Sequence, residues 1–239
     1  MRKYLFLLPL IITACTAVAE PVRHESFDAI LKATVRNERI DYMAVRTKHM
    51  SELNAYLSRM AQVDVNGLSR DEQLAYYINL YNATMIKAVV ERYKPGYSPA
   101  DNDFTVFKEK LVHLKGSKVT LDHLEHKIIR PTFKDPRIHA ALVCGAVSCP
   151  PLLNRVYRAD DLNKVLDNNM KKWIANDSSR NKVDHRTRNL HLSQIFNWFA
   201  EDFGGKDNVA NFVNPHFEED VSGYRVQFLE YDWALNITR

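Results

Sequence analysis

An α+β fold, helix-rich and in one domain with a small, mostly antiparallel sheet, is predicted by three observations. A run from Leu74 to Tyr93 is apolar on nearly all sides and follows a capping pattern, the mark of a long central helix. Short strand signals gather at residues 111–144 and 190–231, while the first half reads as helix. Strands and helices do not alternate regularly, which argues against a doubly wound sheet. With 239 residues, 46% of them hydrophobic and 26% charged, one ordinary globular domain is the simplest organisation.

The first residues read as an address. Arg2-Lys3, an apolar stretch from Tyr4 to Ala14, and Ala17-Val18-Ala19 before Glu20 predict a secretory signal peptide over 1–19, leaving a domain over 20–239. Ile12-Thr13-Ala14-Cys15 competes as a lipobox, which would remove 1–14 and lipidate Cys15. A lipoprotein usually carries a polar tether after that cysteine, whereas a helical pattern starts here near Ser26. The soluble exported form is therefore preferred: periplasmic, or on the outer membrane if Cys15 is lipidated. The formal charge of +4 includes Arg2 and Lys3, so the mature chain lacks the basic footprint of a nucleic-acid binder. Contact with a membrane is expected only through an anchor at Cys15.

The remaining elements follow from spacing. Ser26–Val35 and Ser51–Met60 place apolar residues at helical intervals, and Ile40-Asp41-Tyr42 reads as a short extended segment between them. Ser69 and Glu72 form a capping box for the long helix, which ends before Pro95-Gly96. Asn79 and Asn82 interrupt its apolar surface; buried amides need partners, so they either tie the helix to a loop or line a site. Residues 111–121 read as a hairpin turning at Lys115-Gly116-Ser117. Asp122 to Arg130 reads as a helix with Asp122 and Glu125 as its box and Pro131 as its stop. Asp160–Ala175 is a further helix, 177–188 a loop or irregular hairpin, and Leu190-His191-Leu192 a strand. A helix capped by Ser193 and ended by Gly204-Gly205 follows, then a final strand from Tyr224 to Tyr231.

The chemistry gathers at Asp135–Leu152. Ile138 to Val143 reads as a buried strand ending on Cys144, where Gly145 allows a sharp turn; Cys149 is followed by two prolines. A thiol at the lip of a core strand suits a nucleophile, which needs a base and oxyanion donors; the amides of Gly145 and Ala146 could donate. His139 would point to the opposite sheet face from Cys144, so His126 is the better base, with Glu125 or Asp232 to orient it. Equally open is a structural Cys144–Cys149 disulfide in an oxidising compartment, with His139 as a core histidine. The C-x4-C spacing lacks a second tight ligand pair, so no metal is expected, and the C-x-x-C redox spacing is absent. Phosphate-binding and dinucleotide motifs are absent as well, and no cofactor is expected.

Taken together, Asp71–Ala83, Leu121–Arg130, Asp135–Leu152, Ile195–Trp198, Glu201–Gly204 and Tyr231-Asp232-Trp233 resemble the family of domain of unknown function 547. The resemblance implies an exported bacterial member of a family without an assigned activity. It also implies that Cys144, rather than Cys149, is the thiol members more often keep, serine appearing at the second position. Tyr77 stands where a tryptophan is common. The chain also distantly resembles papain-like or transglutaminase-like cysteine enzymes, although His before Cys departs from their usual order.

The functional expectation is thiol-dependent hydrolysis or acyl transfer on a small peptide-like or amide substrate. Cys144 would attack, His126 would exchange the proton beside Glu125, and Arg130 would bind a substrate carboxylate, with Asn79, Asn82, His139 and Asp232 nearby. The alternative is a non-catalytic envelope binding module stapled by Cys144–Cys149.

Overall fold

The Ser69–Glu72 box is realised in the computed structural model, which describes residues 22–175 and 179–238. Ser69 Oγ accepts from the Glu72 amide while the Glu72 carboxylate accepts from the Ser69 amide at 2.8 Å, opening α4 (Arg70–Arg92). Leu74 to Met85 is buried without interruption, so α4 is the axis of the domain. Around it pack α1 (Glu25–Thr34), α2 (Tyr42–Ala44) and α3 (Met50–Met60); β1 (Val35–Arg36) and β2 (Arg39–Ile40) form a minimal hairpin after α1. Tyr42 thus opens a helix rather than extending a strand, because Asp41 caps it by accepting from the Ala44 amide.

Beyond α5 (Asp101–Lys108), β3 (Val112–Leu114) and β4 (Ser117–Val119) form the expected hairpin. Next come α6 (Leu121–His123), a π-helical segment Leu124–Ile129, and α7 (Arg130–Phe133). The cap is Thr120, whose hydroxyl accepts from the His123 amide at 2.9 Å, not Asp122. Nor does Pro131 stop the helix. The π turn bonds the Arg130 amide back to the Glu125 carbonyl, so the proline that cannot donate falls in a new first turn, where no donor is needed.

The buried strand expected over Ile138–Val143 is not formed. Asp135 accepts from the Arg137 amide and starts a 3₁₀ turn, Pro136–Ala140, after which the chain runs irregularly. Its backbone groups are satisfied by side chains where a neighbouring strand would stand. Asn82 donates to the Ala141 carbonyl at 2.9 Å and accepts from the Val143 amide at 2.9 Å, and Asn169 of α8 (Leu162–Ala175) donates to the Ala140 carbonyl. The segment is buried and apolar because it is core, without being sheet.

A second apolar cluster lies under the three-stranded sheet of β5 (Lys182–Asp184), β6 (Asn189–Leu192) and β7 (Arg225–Phe228), with α9 (Ile195–Trp198) and α10 (Val209–Val213). β5 pairs with β6 antiparallel, as the irregular hairpin predicts, whereas β7 lies parallel to β6. Gly204 and Gly205, both at positive φ, end the turn after α9. The tail after β7 runs back along the cysteine loop: the Val147 amide donates to Ala234 at 2.8 Å and the Asn236 amide to Gly145 at 2.9 Å. The helix-rich α+β expectation therefore holds. Signal-peptide and lipobox readings, Cys15 included, lie outside the described residues. Among the described residues, no helix is long and apolar enough to cross a membrane.

Candidate functional site

The cysteine loop, the π-helical segment, α9 and the returning tail meet around a cleft of about 310 Å³. The π segment presents Glu125 and His126 to it; the loop contributes both cysteines, α9 contributes Trp198, and the tail contributes Tyr231 and Trp233. At Gly145 (φ +83°) a side chain would lie in the left-handed region and 3.4 Å from Met85, so the turn after Cys144 requires glycine.

Cys144 and Cys149 are joined in a disulfide with their Cα atoms 6.2 Å apart. The Tyr231 hydroxyl lies 3.2 Å from Cys144 Sγ and 3.4 Å from Cys149 Sγ, and the Cys144 amide donates to Cys149 Sγ. Of the two alternatives open in the sequence, the staple is the one the structure contains. Tyr231 thereby contacts both sulfurs, and burial holds its hydroxyl protonated.

Glu125 shows 13% of its side chain to solvent. Burial pushes its carboxyl up to about 7, despite a hydrogen bond from the Tyr81 hydroxyl and the nearby Arg130 charge. His126 lies 4.0 Å from it. Burial, then the Arg130 charge, lowers the His126 imidazole to about 4, so the ring is neutral at pH 7. Arg130 donates to His126 Nδ1 at 3.2 Å, which makes Nδ1 the acceptor and leaves the ring proton on Nε2. Such a ring is poorly set to take a proton from a thiol.

Arg130 itself grips Asp202 with two bonds, Nε at 2.6 Å and an Nη at 3.0 Å, while His139 Nε2 lies 2.6 Å from the same carboxylate. Burial lowers the His139 imidazole more than Asp202 raises it, so a neutral ring donates to the carboxylate. Burial alone would raise the Asp202 carboxyl, but the bonds from His139 and Arg130 prevail and hold it well below the usual carboxylate range. Phe199 stacks on His139 at 4.4 Å between ring centres and lies under the Arg130 guanidinium at 5.0 Å.

The sequence-predicted residues therefore divide. Cys144, Glu125, His126 and His139 line one cleft, so His139 does not point away from the cysteine loop as a strand register would require. Arg130, expected at a substrate carboxylate, lies against a neighbouring hollow and is bound to Asp202. For Asn79 and Asn82, of the tie and the site lining left open by the sequence, the tie is the one formed. Asn79 spends its donor on the Tyr157 carbonyl and its acceptor on the Tyr157 amide, and Asn82 is used on Ala141 and Val143, so both amides are ties. Asp232 is exposed; its carboxylate accepts from the Ala234 amide and turns the tail.

Sequence reasoning missed Tyr81, Asp202 and the aromatic wall. Asp202, Trp198, Tyr231 and Trp233 all sit in the motifs that carry the family resemblance, and their clustering is the signal that could have found them. Trp198 and Trp233 both pack on Tyr231, at 4.9 and 4.6 Å. Phe104 reaches Trp233 at 4.8 Å from a backbone in which Asn102, Asp103 and Phe104 are all left-handed. Three such residues in succession are costly for side chains with a Cβ, and here they carry a ring to the mouth of the cleft.

Fold and site together define a helix-rich α+β domain with an aromatic cleft, two carboxyls within it and a disulfide on its wall. Residues 65–174 match the family described as Protein of unknown function, DUF547, so the resemblance is shown over the span from just before α4 to the end of α8. No curated protein and no solved structure matches the chain.

Proposed function

We propose that this is a non-catalytic binding module of the cell envelope, which holds a small molecule in the cleft while Cys144–Cys149 staples the loop beside it. The observation that carries the reading is the Cys144–Cys149 disulfide on the cleft wall. It removes the nucleophile, and the Arg130 bond to His126 Nδ1 removes the base. The bonded network of Arg130, Asp202 and His139 supports the cleft from behind rather than offering charges to a ligand. An exported protein is consistent with the pattern of residues 1–19 and with a disulfide outside the cytoplasm.

A second reading, thiol-dependent hydrolysis or acyl transfer on an amide, is favoured by one observation: both sulfurs line the same cleft as Glu125 and His126. That route requires a reductant to open the bridge first. Intact mass and iodoacetamide labelling of protein recovered from the cell envelope separate the two. The binding reading expects a mass two hydrogens below the dithiol, no labelling in the native state, and ligand-induced changes in tryptophan fluorescence without reductant. A free Cys144 that labels fast at mildly acidic pH, and more slowly in His126→Ala, would overturn it.

A further inference from the structure

The charges around the cleft decide which ligands it suits. Each positive group nearby is already engaged or absent. Lys108 on the rim is held by the Asp103 carboxylate at 2.6 Å, Arg130 by Asp202 at 2.6 Å, and Arg180 by Glu38 at 3.2 Å. His126 and His139 are neutral at pH 7. The negative groups are less fully matched: among the described residues Asp122 makes no ion pair and has only the Lys108 charge near it, and Glu125 has the Tyr81 hydroxyl, the neutral His126 at 4.0 Å and an Arg130 charge already bound to Asp202. An anion entering here would find no unspent cation and would face two carboxyls.

The other wall is π surface. Trp198 is 48% exposed, unusual for so large an apolar side chain, and its ring lies roughly parallel to Trp233 at 6.0 Å, with Tyr231 packed against both. Ring faces and a buried carboxylate are the two partners that favour a desolvated organic cation: the ring quadrupole attracts the charge, and the carboxylate neutralises it. We propose, resting on the binding reading above, that the cleft takes a small organic cation, an amine or quaternary ammonium, seated on Trp198, Tyr231 and Trp233 with the Glu125 carboxylate as its counter-ion.

Binding is then linked to a proton. Groups facing Glu125 are Tyr81 from α4, Asp122, His126 and Arg130 along its own helix, Asp202 from the turn after α9, and Tyr231 from the tail. A cation favours the ionised carboxyl, so its arrival expels the proton that burial retains near neutral pH. Affinity rises from about pH 5 to about pH 8.

The test uses the oxidised protein and three probes of nearly equal shape: choline, its neutral carbon isostere with a tert-butyl group in place of trimethylammonium, and the carboxylate in which acetate carries a tert-butyl group. Titration is followed by tryptophan fluorescence and calorimetry. Choline is expected to bind about tenfold more tightly than the neutral isostere, and the carboxylate more weakly than either. Glu125→Gln, which keeps an acceptor for Tyr81, should weaken choline several-fold toward the neutral probe's affinity, and Trp198→Ala, at an exposed position, should weaken choline several-fold. Equal or tighter binding of either other probe, unchanged choline affinity in Glu125→Gln, or no choline binding at all would overturn the cation. Equal binding of the neutral probe would do so while leaving the binding module standing; failure of the module itself is read separately from the thiol labelling.

Discussion

Replacing Glu125 by glutamine should make the protein more stable in alkaline than in acidic solution relative to the wild type, because the carboxyl is a cost of the fold above its ordinary titration range. In the unfolded chain it ionises near its ordinary value of 4.5, whereas in the folded protein it holds its proton up to about 7. Between those values the unfolded state has lost a proton that the native state still carries, so wild-type stability falls as pH rises. A gap of that width corresponds to about 3 kcal/mol once both states are ionised, an upper figure for a side chain 13% exposed to solvent. The substituted amide has no proton to lose and keeps a carbonyl oxygen for Tyr81. Urea denaturation of both proteins with the disulfide intact, at about pH 4 and about pH 8, measures the difference directly. The variant should gain on the wild type by about 2–3 kcal/mol between the two. A stability difference that does not change with pH would refute the burial of an unpaired carboxyl at the cleft.

Two further outcomes follow from the side-chain ties. Asn82→Ala leaves the Ala141 carbonyl and the Val143 amide buried without partners; at about 1–3 kcal/mol each, the loss should be about 3 kcal/mol in a urea titration, larger than an exposed substitution gives. Asp202→Asn strips Arg130 of its counter-ion and should cost about 2 kcal/mol at neutral pH. Because the folded Asp202 carboxyl is held below its usual range, that contribution is fully present above about pH 4 and lost as pH falls further, so thermal melts of variant and wild type should converge in strong acid.

The long helix was legible because its signals are local: a serine three residues before a glutamate, then a largely apolar run, broken by few polar residues, with no glycine or proline. Hairpin β3–β4 was legible for the same reason. The stretch before Cys144 misleads, since a short apolar run is equally at home in a strand or in irregular core. What decided between them lies far away in sequence: Asn82, some sixty residues upstream, supplies the bonds a sheet neighbour would have supplied. The same distance hid the site. His126 and Glu125 were readable as a titratable pair, but their state depends on Arg130 and Tyr81, and that of Arg130 depends on Asp202, which a single sequence does not bring together. A strand register sent His139 away from the cleft, whereas the 3₁₀ turn at Pro136–Ala140 brings it in.

The two errors at the cysteine loop have one cause, and it bears on what the loop does. A strand edge would have fixed Cys144 through a ladder of backbone bonds and left its thiol as a feature of the sheet end. Here the loop is held by side-chain amides from α4 and α8 on one side and by the backbone of the tail, from Asp232 to Asn236, on the other. The tail carries Tyr231 and Trp233, so whatever shifts the cysteine loop also shifts the aromatic wall. The disulfide closes the short turn between these two supports and thereby couples the cleft wall to the central helix. Its position makes it a determinant of the cleft's shape whether or not a thiol is ever released, and that is why the oxidised protein, rather than the reduced one, is the form in which a ligand should be sought.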